Sequence, residues 1–272
     1  MVRRSHTVGS GLGDRQGYPP LPHPEHHMAA PPADTTLLDD LARIDTPTIC
    51  NIVELFDVRS PAAGFMDGRI RCEYPDLPPM VGYAATATYR SAYASAEGEG
   101  CEPAELLATF ESLPGPAVVV IQDLDEPPAA ACFGDVSCSS YQAFGARGVV
   151  TSGAGRDLEQ VQALRFPAFT AGTICSHGFS YLVDTGIPVQ VGGITIRPGD
   201  LIHGDRNGVV TIPKAIAAQV ATLADDFIAA EQEVLSYLQS ARPPTVAGYR
   251  DSVARMQRQQ AELRDRIAAG RR

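Results

Sequence analysis

The period of the apolar positions changes along the chain, and each change marks an element. From Thr36 they recur at helical spacing, with Leu37, Leu38, Leu41 and Ile44 on one face. Asp45-Thr46-Pro47 then supplies a cap and a first-turn proline for a second helix through Ile49, Ile52, Val53 and Phe56. On that helix Cys50 and Asn51 either point into a site or join its buried face. Residues 80–89 alternate small and β-forming side chains and predict a strand. Pro116 to Asp123 holds five consecutive apolar residues, Ala117 to Ile121, ahead of an acidic turn, the pattern of a buried strand. A loop with Pro127 and Pro128 leads to Phe133-Gly134-Asp135-Val136-Ser137, a helical stretch to Gly145, a turn at Arg147-Gly148 and a β-branched run over 149–152. This order makes a β-α-β unit. It ends on Gly153-Ala154-Gly155-Arg156-Asp157, a glycine-rich turn around which the chain is organised.

Beyond it the pattern predicts a short helix over 158–164, a strand over 166–170 and a loop over 172–177. Gly192-Gly193 between alternating runs predicts a tight hairpin, Pro198-Gly199-Asp200 a second turn and Asp205-Arg206-Asn207-Gly208 a third, together a β-meander ending near Ile212. Adding this to the β-α-β unit gives an α/β fold that is not doubly wound. From Lys214 to about Ser240 a long helix carries Ile216, Val220, Leu223, Phe227, Val234 and Leu238 on one stripe. A second helix over 246–269 is so polar that contact with another subunit is expected of it. Residues 1–33 lack apolar periodicity and read as a flexible arm, leaving a domain over 34–240 and a helical extension over 241–272. Within the arm His23, His26 and His27 are a weak metal-binding candidate, because a proline-rich segment does not pre-organise ligands.

Composition narrows the chemistry. Acidic residues outnumber basic ones, 32 to 22, for a formal charge of −10, so nucleic acid is not an expected partner. No apolar run is long enough to span a membrane and no signal-peptide core is visible, so a cytoplasmic protein is expected. The six cysteines form no C-x-x-C pair and read as reduced packing residues. Lys214 is the only lysine of the chain, at the start of a surface helix, which argues against Schiff-base chemistry. Carbon-carbon chemistry beside a carbonyl would then need a divalent metal as electron sink.

Candidate site residues follow from the β-α-β geometry. In a right-handed crossover the helix starts at the edge where the second strand ends, so Asp135 and Asp157 should converge although 22 positions separate them. Arg156 offers a planar fork for a carboxylate or enolate, and Asp157 a hard oxygen for a cation. First-turn amides around Val136 and Ser137 would face the same edge and could hold an anion. The competing reading is a helix cap at Asp135 and a surface Arg156–Asp157 ion pair. His177 is either a proton donor in this cleft or a hydrogen-bonded structural histidine. Glu97 and Glu99 are loop acids, solvated or functional, and His203 reads as a strand residue.

Gly134-Asp135, the 153–157 loop, Pro188-Val189 with Gly192-Gly193, and Arg197-Pro198-Gly199-Asp200 through Asp205-Arg206-Asn207-Gly208-Val209-Val210 together resemble a known family. It contains the regulator of ribonuclease E activity and the 4-hydroxy-4-methyl-2-oxoglutarate and 4-carboxy-4-hydroxy-2-oxoadipate aldolases. The resemblance covers roughly 45–240. It implies a three-layer β/β/α swivelling fold, trimers or hexamers with sites between subunits, and a divalent-metal lyase for a small 2-oxo acid. It also implies that Arg156 and Asp157 position substrate and bind Mg2+ or Mn2+, that Asp135 lies by the metal through water, and that the Val136 amide meets the pyruvate carboxylate. Glu231 best matches a glutamate reaching the site from a neighbouring subunit, with Glu233 the alternative. A non-catalytic regulator and a biosynthetic enzyme with an unusual substrate are the competing functions. The loops at 94–101 and 173–180 depart from the usual enzymes and would select the substrate beyond its pyruvyl unit.

Overall fold

A computed structural model of the chain describes residues 35–96, 99–240 and 242–270. His23, His26, His27 and Glu97 lie outside the described residues. The helices are α1 (Thr36–Leu41), α2 (Thr46–Leu55), α3 (Pro103–Thr109), α4 (Asp135–Ala143), α5 (Leu158–Ala163), α6 (Ala217–Ser240) and α7 (Val246–Gly270). The strands are β1 (Arg71–Cys72), β2 (Met80–Arg90), β3 (Ala117–Asp123), β4 (Ala131–Phe133), β5 (Val149–Thr151), β6 (Ala154–Gly155), β7 (Ala168–Thr170), β8 (Gly172–Thr173), β9 (Tyr181–Thr185), β10 (Val189–Val191), β11 (Ile194–Ile196), β12 (Leu201–Asp205) and β13 (Gly208–Ile212).

An eight-stranded mixed sheet in the order β1-β7-β5-β3-β2-β12-β13 forms the middle layer, with β9 also on β2. The eleven-residue β2 is long enough for one edge to serve two neighbours, β12 against Met80 to Tyr83 and β9 against Ala87 to Arg90. Alternation along each strand decides what covers each face. On β3, Val118 and Val120 pack under the β10–β11 hairpin with Val189, Val191 and Ile196. Ala117, Val119 and Ile121 face Leu106 of α3, Cys138 and Tyr141 of α4 and Val161 of α5. Val81, Leu201, Val210 and Ile212 continue that helical side under α1, α2 and α6. Hairpin, sheet and helices thus make three layers, β/β/α, as the resemblance implied. Each fully buried valine or isoleucine in this sandwich contributes roughly 1.5–3 kcal/mol of transfer free energy.

Local chemistry sets the ends. Asp45 Oδ1 accepts the Thr48 amide at 2.7 Å with Pro47 in the first turn, so α2 starts as expected. The 192–193 turn has both glycines at positive φ, +57° and +79°, which lets Val191 pair with Ile194 in a two-residue hairpin.

Four expectations are corrected. The predicted meander is two units: β10–β11 is a separate two-stranded sheet, and β12 turns away to pair β2 and β13. The residues of the 153–157 turn are partly a strand, because β5 and β7 lead almost directly into β6 and β8, which with β4, reached from β3 through the 124–130 loop, form a second, all-parallel sheet in the order β4-β6-β8. Contact of α6 with the core ends at Ala230 rather than reaching Leu238, and its remaining turns lie against α7. Finally, the polarity of α7 does not leave it without a core in its own chain, for Leu263 and Ile267 are buried with α2 and α6 residues. Its polarity reflects ion pairs along α6, Arg255 Nε to Glu233 Oε2 at 2.7 Å and Arg266 to Asp226. Among the described residues no helix is long and apolar enough to cross a membrane.

Candidate functional site

The site forms where the small sheet ends. After Phe133 of β4 the chain enters α4 at Gly134-Asp135, and after Gly155 of β6 it continues as Arg156-Asp157 into α5. The Arg156 amide donates to the Phe133 carbonyl at 3.0 Å, so the two exits lie side by side. Close packing explains the glycines of this loop. A Cβ on Gly153 would overlap Cys132 Sγ and Asp123 Oδ2, and one on Gly155 would overlap the Phe133 ring. Gly134 is the glycine that borders the functional groups, since its Cβ would overlap Asp157 Oδ2 and lie 3.1 Å from Arg156 Nε.

Asp157 occupies the left-handed region at φ +53°, ψ +39°. Aspartate and asparagine tolerate that region better than other side-chain-bearing residues. The turn directs its carboxylate back over β4. There Oδ2 accepts the Asp135 amide at 3.3 Å and pairs with Arg156 Nε at 3.3 Å. Asp157, Arg156 and the backbone of Asp135 therefore meet across 22 positions, while the Asp135 carboxylate takes the Val136 amide. The ion pair is a third exposed, so it counts mainly as geometry and contributes on the order of 1 kcal/mol or less.

Val136 and Ser137 sit at the same helix start, where the Val136 amide and the Ser137 hydroxyl are used locally. The Val136 amide donates to Asp135 Oδ1 at 2.7 Å, and Ser137 Oγ both accepts the Gly134 amide and donates to the Gly134 carbonyl, each at 3.0 Å. The anion-binding amide expected at Val136 is thus occupied by the neighbouring side chain. A cleft of about 500 Å³ opens over these groups, lined at this end by Asp135, Val136, Ser137 and Arg156. His177 lines it too, its Nδ1 2.8 Å from the Gly178 carbonyl.

Glu231 does not join this group within one chain. It stands on α6 near Asp45 and Asn51, where burial first and the Asp45 charge second raise its carboxyl above the ordinary range, against a hydrogen bond from Asn51. Glu233 is engaged elsewhere: Arg255 and Gln259 donate to it, and these bonds hold its carboxyl low. His203 is structural. It is fully buried, with Nε2 donating to the Leu41 carbonyl at 3.1 Å and Nδ1 accepting from Thr46 Oγ1 at 3.0 Å. Glu99 accepts the Ala96 amide in its own loop.

Several cleft residues were not anticipated from the sequence. Leu107 comes from α3, whose Glu102-Pro103-Ala104-Glu105 start carries a capping box that could have revealed it. Tyr181 and Leu182 come from β9, and Tyr89 from the far end of β2. The Tyr89 hydroxyl donates to the Ala131 carbonyl at 2.7 Å, and burial pushes its pKa up to about 12, so it stays a neutral donor. Beneath the cleft Asp123 is buried, its carboxyl raised chiefly by burial, with Cys132 Sγ 3.6 Å away.

The donor set bears on the implied metal. No cluster of three or more His, Cys, Asp or Glu occurs among the described residues. Two carboxylates, each with one oxygen already engaged, are donors of the kind taken by Mg2+ or Mn2+, hard ions that keep several waters. Soft N/S donors of a closed zinc site are not gathered here.

Comparison with known proteins agrees with this architecture. A protein of Halalkalibacterium halodurans, provisionally named a 4-hydroxy-4-methyl-2-oxoglutarate aldolase, is 38% identical over 112 residues, 41% of this chain and 52% of its own. A similarly named protein of Alcanivorax borkumensis is 34% identical over 89 residues, 32% of this chain and 54% of its own. In these matches the chain spans about half the length of the curated relatives. Streptomyces coelicolor RraAS2, described as an unusual member of the RNase ES inhibitor RraA family, superposes with a TM-score of 0.58 at 25% identity, covering 77% of this chain and 100% of that one. An uncharacterised protein of Pseudomonas syringae shares the fold at a TM-score of 0.63 and 23% identity, over 85% of this chain and 100% of its own. The RraA-like family model, described as Aldolase/RraA, matches residues 46–211, which hold the sheet, the 134–137 helix start and the 156–157 pair, and the chain belongs to that family.

Proposed function

We propose that the protein is a divalent-metal-dependent lyase that cleaves, or in reverse forms, a carbon-carbon bond beside a 2-oxo acid. The observation that carries this reading is that Arg156 and Asp135 line the polar end of the cleft, with Asp157 held against both from outside the lining through Arg156 Nε and the Asp135 amide. The names of the relatives from H. halodurans and A. borkumensis support the aldolase class, with 4-hydroxy-4-methyl-2-oxoglutarate as the example, and oxaloacetate decarboxylation would draw on the same enolate.

Arg156 would bind the oxygens of the 2-oxo acid through its guanidinium fork. Because Asp157 already fixes that fork, little reorganisation is needed as charge builds on the enolate oxygen. Asp157 Oδ1, which takes no hydrogen bond among the described residues, and Asp135 would hold Mg2+ or Mn2+ directly or through water. When bound, the cation supplies positive charge beside the carboxylate and 2-oxo oxygens. Asp135 would take the proton from the cleaved hydroxyl, through water or directly. As its carboxylate turns away from the Val136 amide, that donor becomes open to the substrate carboxylate, with Ser137 and His177 completing the polar wall. Glu231 would act from a neighbouring subunit of a trimer or hexamer, a reading favoured by its place outside its own chain's cleft.

The test is pyruvate release, coupled to lactate dehydrogenase, from oxaloacetate and 4-hydroxy-4-methyl-2-oxoglutarate. Activity should need Mg2+ or Mn2+ and stop with EDTA. Absence of metal-dependent turnover across a panel of 2-oxo acids would favour a regulator that binds a protein partner, the role in the description of RraAS2. Light scattering on the purified chain checks the assembly, and a monomer would remove the role given to Glu231.

A further inference from the structure

The cleft is larger than its polar end requires. At about 500 Å³ it falls in the range that holds whole small-molecule ligands, roughly 300–1,000 Å³. Away from Arg156 and Asp135 the walls are mostly Leu107, Tyr89, Tyr141, Phe179, Tyr181 and Leu182, with Ser140, Ser180 and His177 as the polar groups among them. Arg156 is the only arginine or lysine among the described residues lining it. The loop carrying His177 and Phe179 is held in place, since the Phe179 amide donates to the Ser91 carbonyl at 3.0 Å and a Cβ on Gly178 would press against that same carbonyl at 2.6 Å. A second carboxylate placed in this end would lose water and meet no arginine or lysine to offset that cost. An aromatic or branched alkyl group would cover apolar wall and place its ring against tyrosine and phenylalanine.

We infer that the substrate part beyond the 2-oxo acid is an apolar aryl or branched alkyl group, seated against Leu107, Tyr141 and Phe179, rather than a second carboxylate. For the reaction this rests on the lyase reading above; for binding it does not. The substrate is then a 4-hydroxy-2-oxo acid with the apolar group on C4. On cleavage the C4 hydroxyl loses its proton, the C3–C4 electron pair becomes the C2–C3 double bond of the enolate, C4 leaves as an aldehyde or ketone, and C3 takes up a proton to give pyruvate.

Two ligands that differ only at the far end test the assignment: 2-oxo-4-phenylbutanoate and 2-oxoglutarate, titrated into the full chain by calorimetry with Mg2+ present. The phenyl compound should bind roughly 10-fold or more tightly, the scale on which apolar pockets discriminate. Equal affinities, or tighter 2-oxoglutarate, overturn the inference. Phe179→Arg, at a side chain 61% exposed and so tolerant of polarity, should narrow or reverse the preference. An unchanged preference in that variant places the tail elsewhere and also overturns it. Turnover separates the two readings: 4-hydroxy-2-oxo-4-phenylbutanoate should outpace 4-hydroxy-4-methyl-2-oxoglutarate. A phenyl preference in binding with no turnover of either keeps the cleft assignment and removes the lyase, whereas turnover favouring the dicarboxylate keeps the lyase and removes this inference.

Discussion

Gly134→Ala isolates the geometry of the site from the stability of the fold. Gly134 has φ −151°, extended backbone open to any residue, so the substitution brings no dihedral strain. The added methyl, however, overlaps Asp157 Oδ2 and stands 3.1 Å from Arg156 Nε. Restoring a van der Waals separation of roughly 3.5 Å moves that carboxylate by about 1 Å. A displacement of that size in a positioned group costs about 10²-fold in rate. Loss of a glycine cap for alanine at the start of α4 adds about 1 kcal/mol of destabilisation at most. The expected outcome is a kcat/KM for metal-dependent pyruvate release down about 100-fold, weaker Mn2+ binding by calorimetry, and a melting temperature within a few degrees of the parent. Gly68→Ala, at an exposed position with nothing within 4 Å of the new Cβ, serves as the control and should match the parent. A Gly134→Ala protein with parental kcat/KM and Mn2+ affinity would show that Asp157 and Arg156 do not act from the positions described.

Asp157→Asn keeps a residue that tolerates φ +53° while removing the charge, so metal-dependent turnover should vanish with the fold intact by circular dichroism. Arg156→Lys should lose about 10²-fold or more in kcat/KM, since an ammonium does not reproduce the fork, and near-parental kinetics would contradict its role. Burial depresses the pKa of His203 below its unfolded value near 6.5, so the unfolded chain binds the extra proton and this contribution to stability is present above that pH and lost as pH falls below it. Urea midpoints should therefore decline from pH 7 to pH 5, and His203→Gln should flatten that decline relative to its own value at pH 7. Leu263→Ala should destabilise the chain by roughly 2–4 kcal/mol in chemical denaturation, because α7 closes over α2 and α6; a surface-like change under 0.5 kcal/mol would argue that α7 is not docked.

Features set by neighbours in sequence were legible without a structure. The Asp45 cap with Pro47, the Gly192-Gly193 hairpin and the unbroken run of β3 each need only their own residues to declare their conformation. Even the meeting of Asp135 with Asp157 followed from the handedness of one crossover, which is a local rule with a long reach. What escaped were short pieces whose existence depends on partners. The two residues of β6 are a strand only because β4 and β8 flank them, and β9 exists because β2 runs past the end of β12.

The same division holds for the site. The amino-acid sequence by itself settled which groups are available: one lysine in the wrong place, an adjacent Arg156 and Asp157, and an aspartate at a helix start. Tertiary structure alone decided that Asp135 occupies the Val136 amide, that Gly153 and Gly155 are there for close packing, and that the cleft is lined mostly by aliphatic and aromatic side chains. Those outcomes depend on which side chains from β2, α3, α4 and β9 come to lie against one another. Sequence spacing does not encode such contacts, because they are settled only when the layers pack.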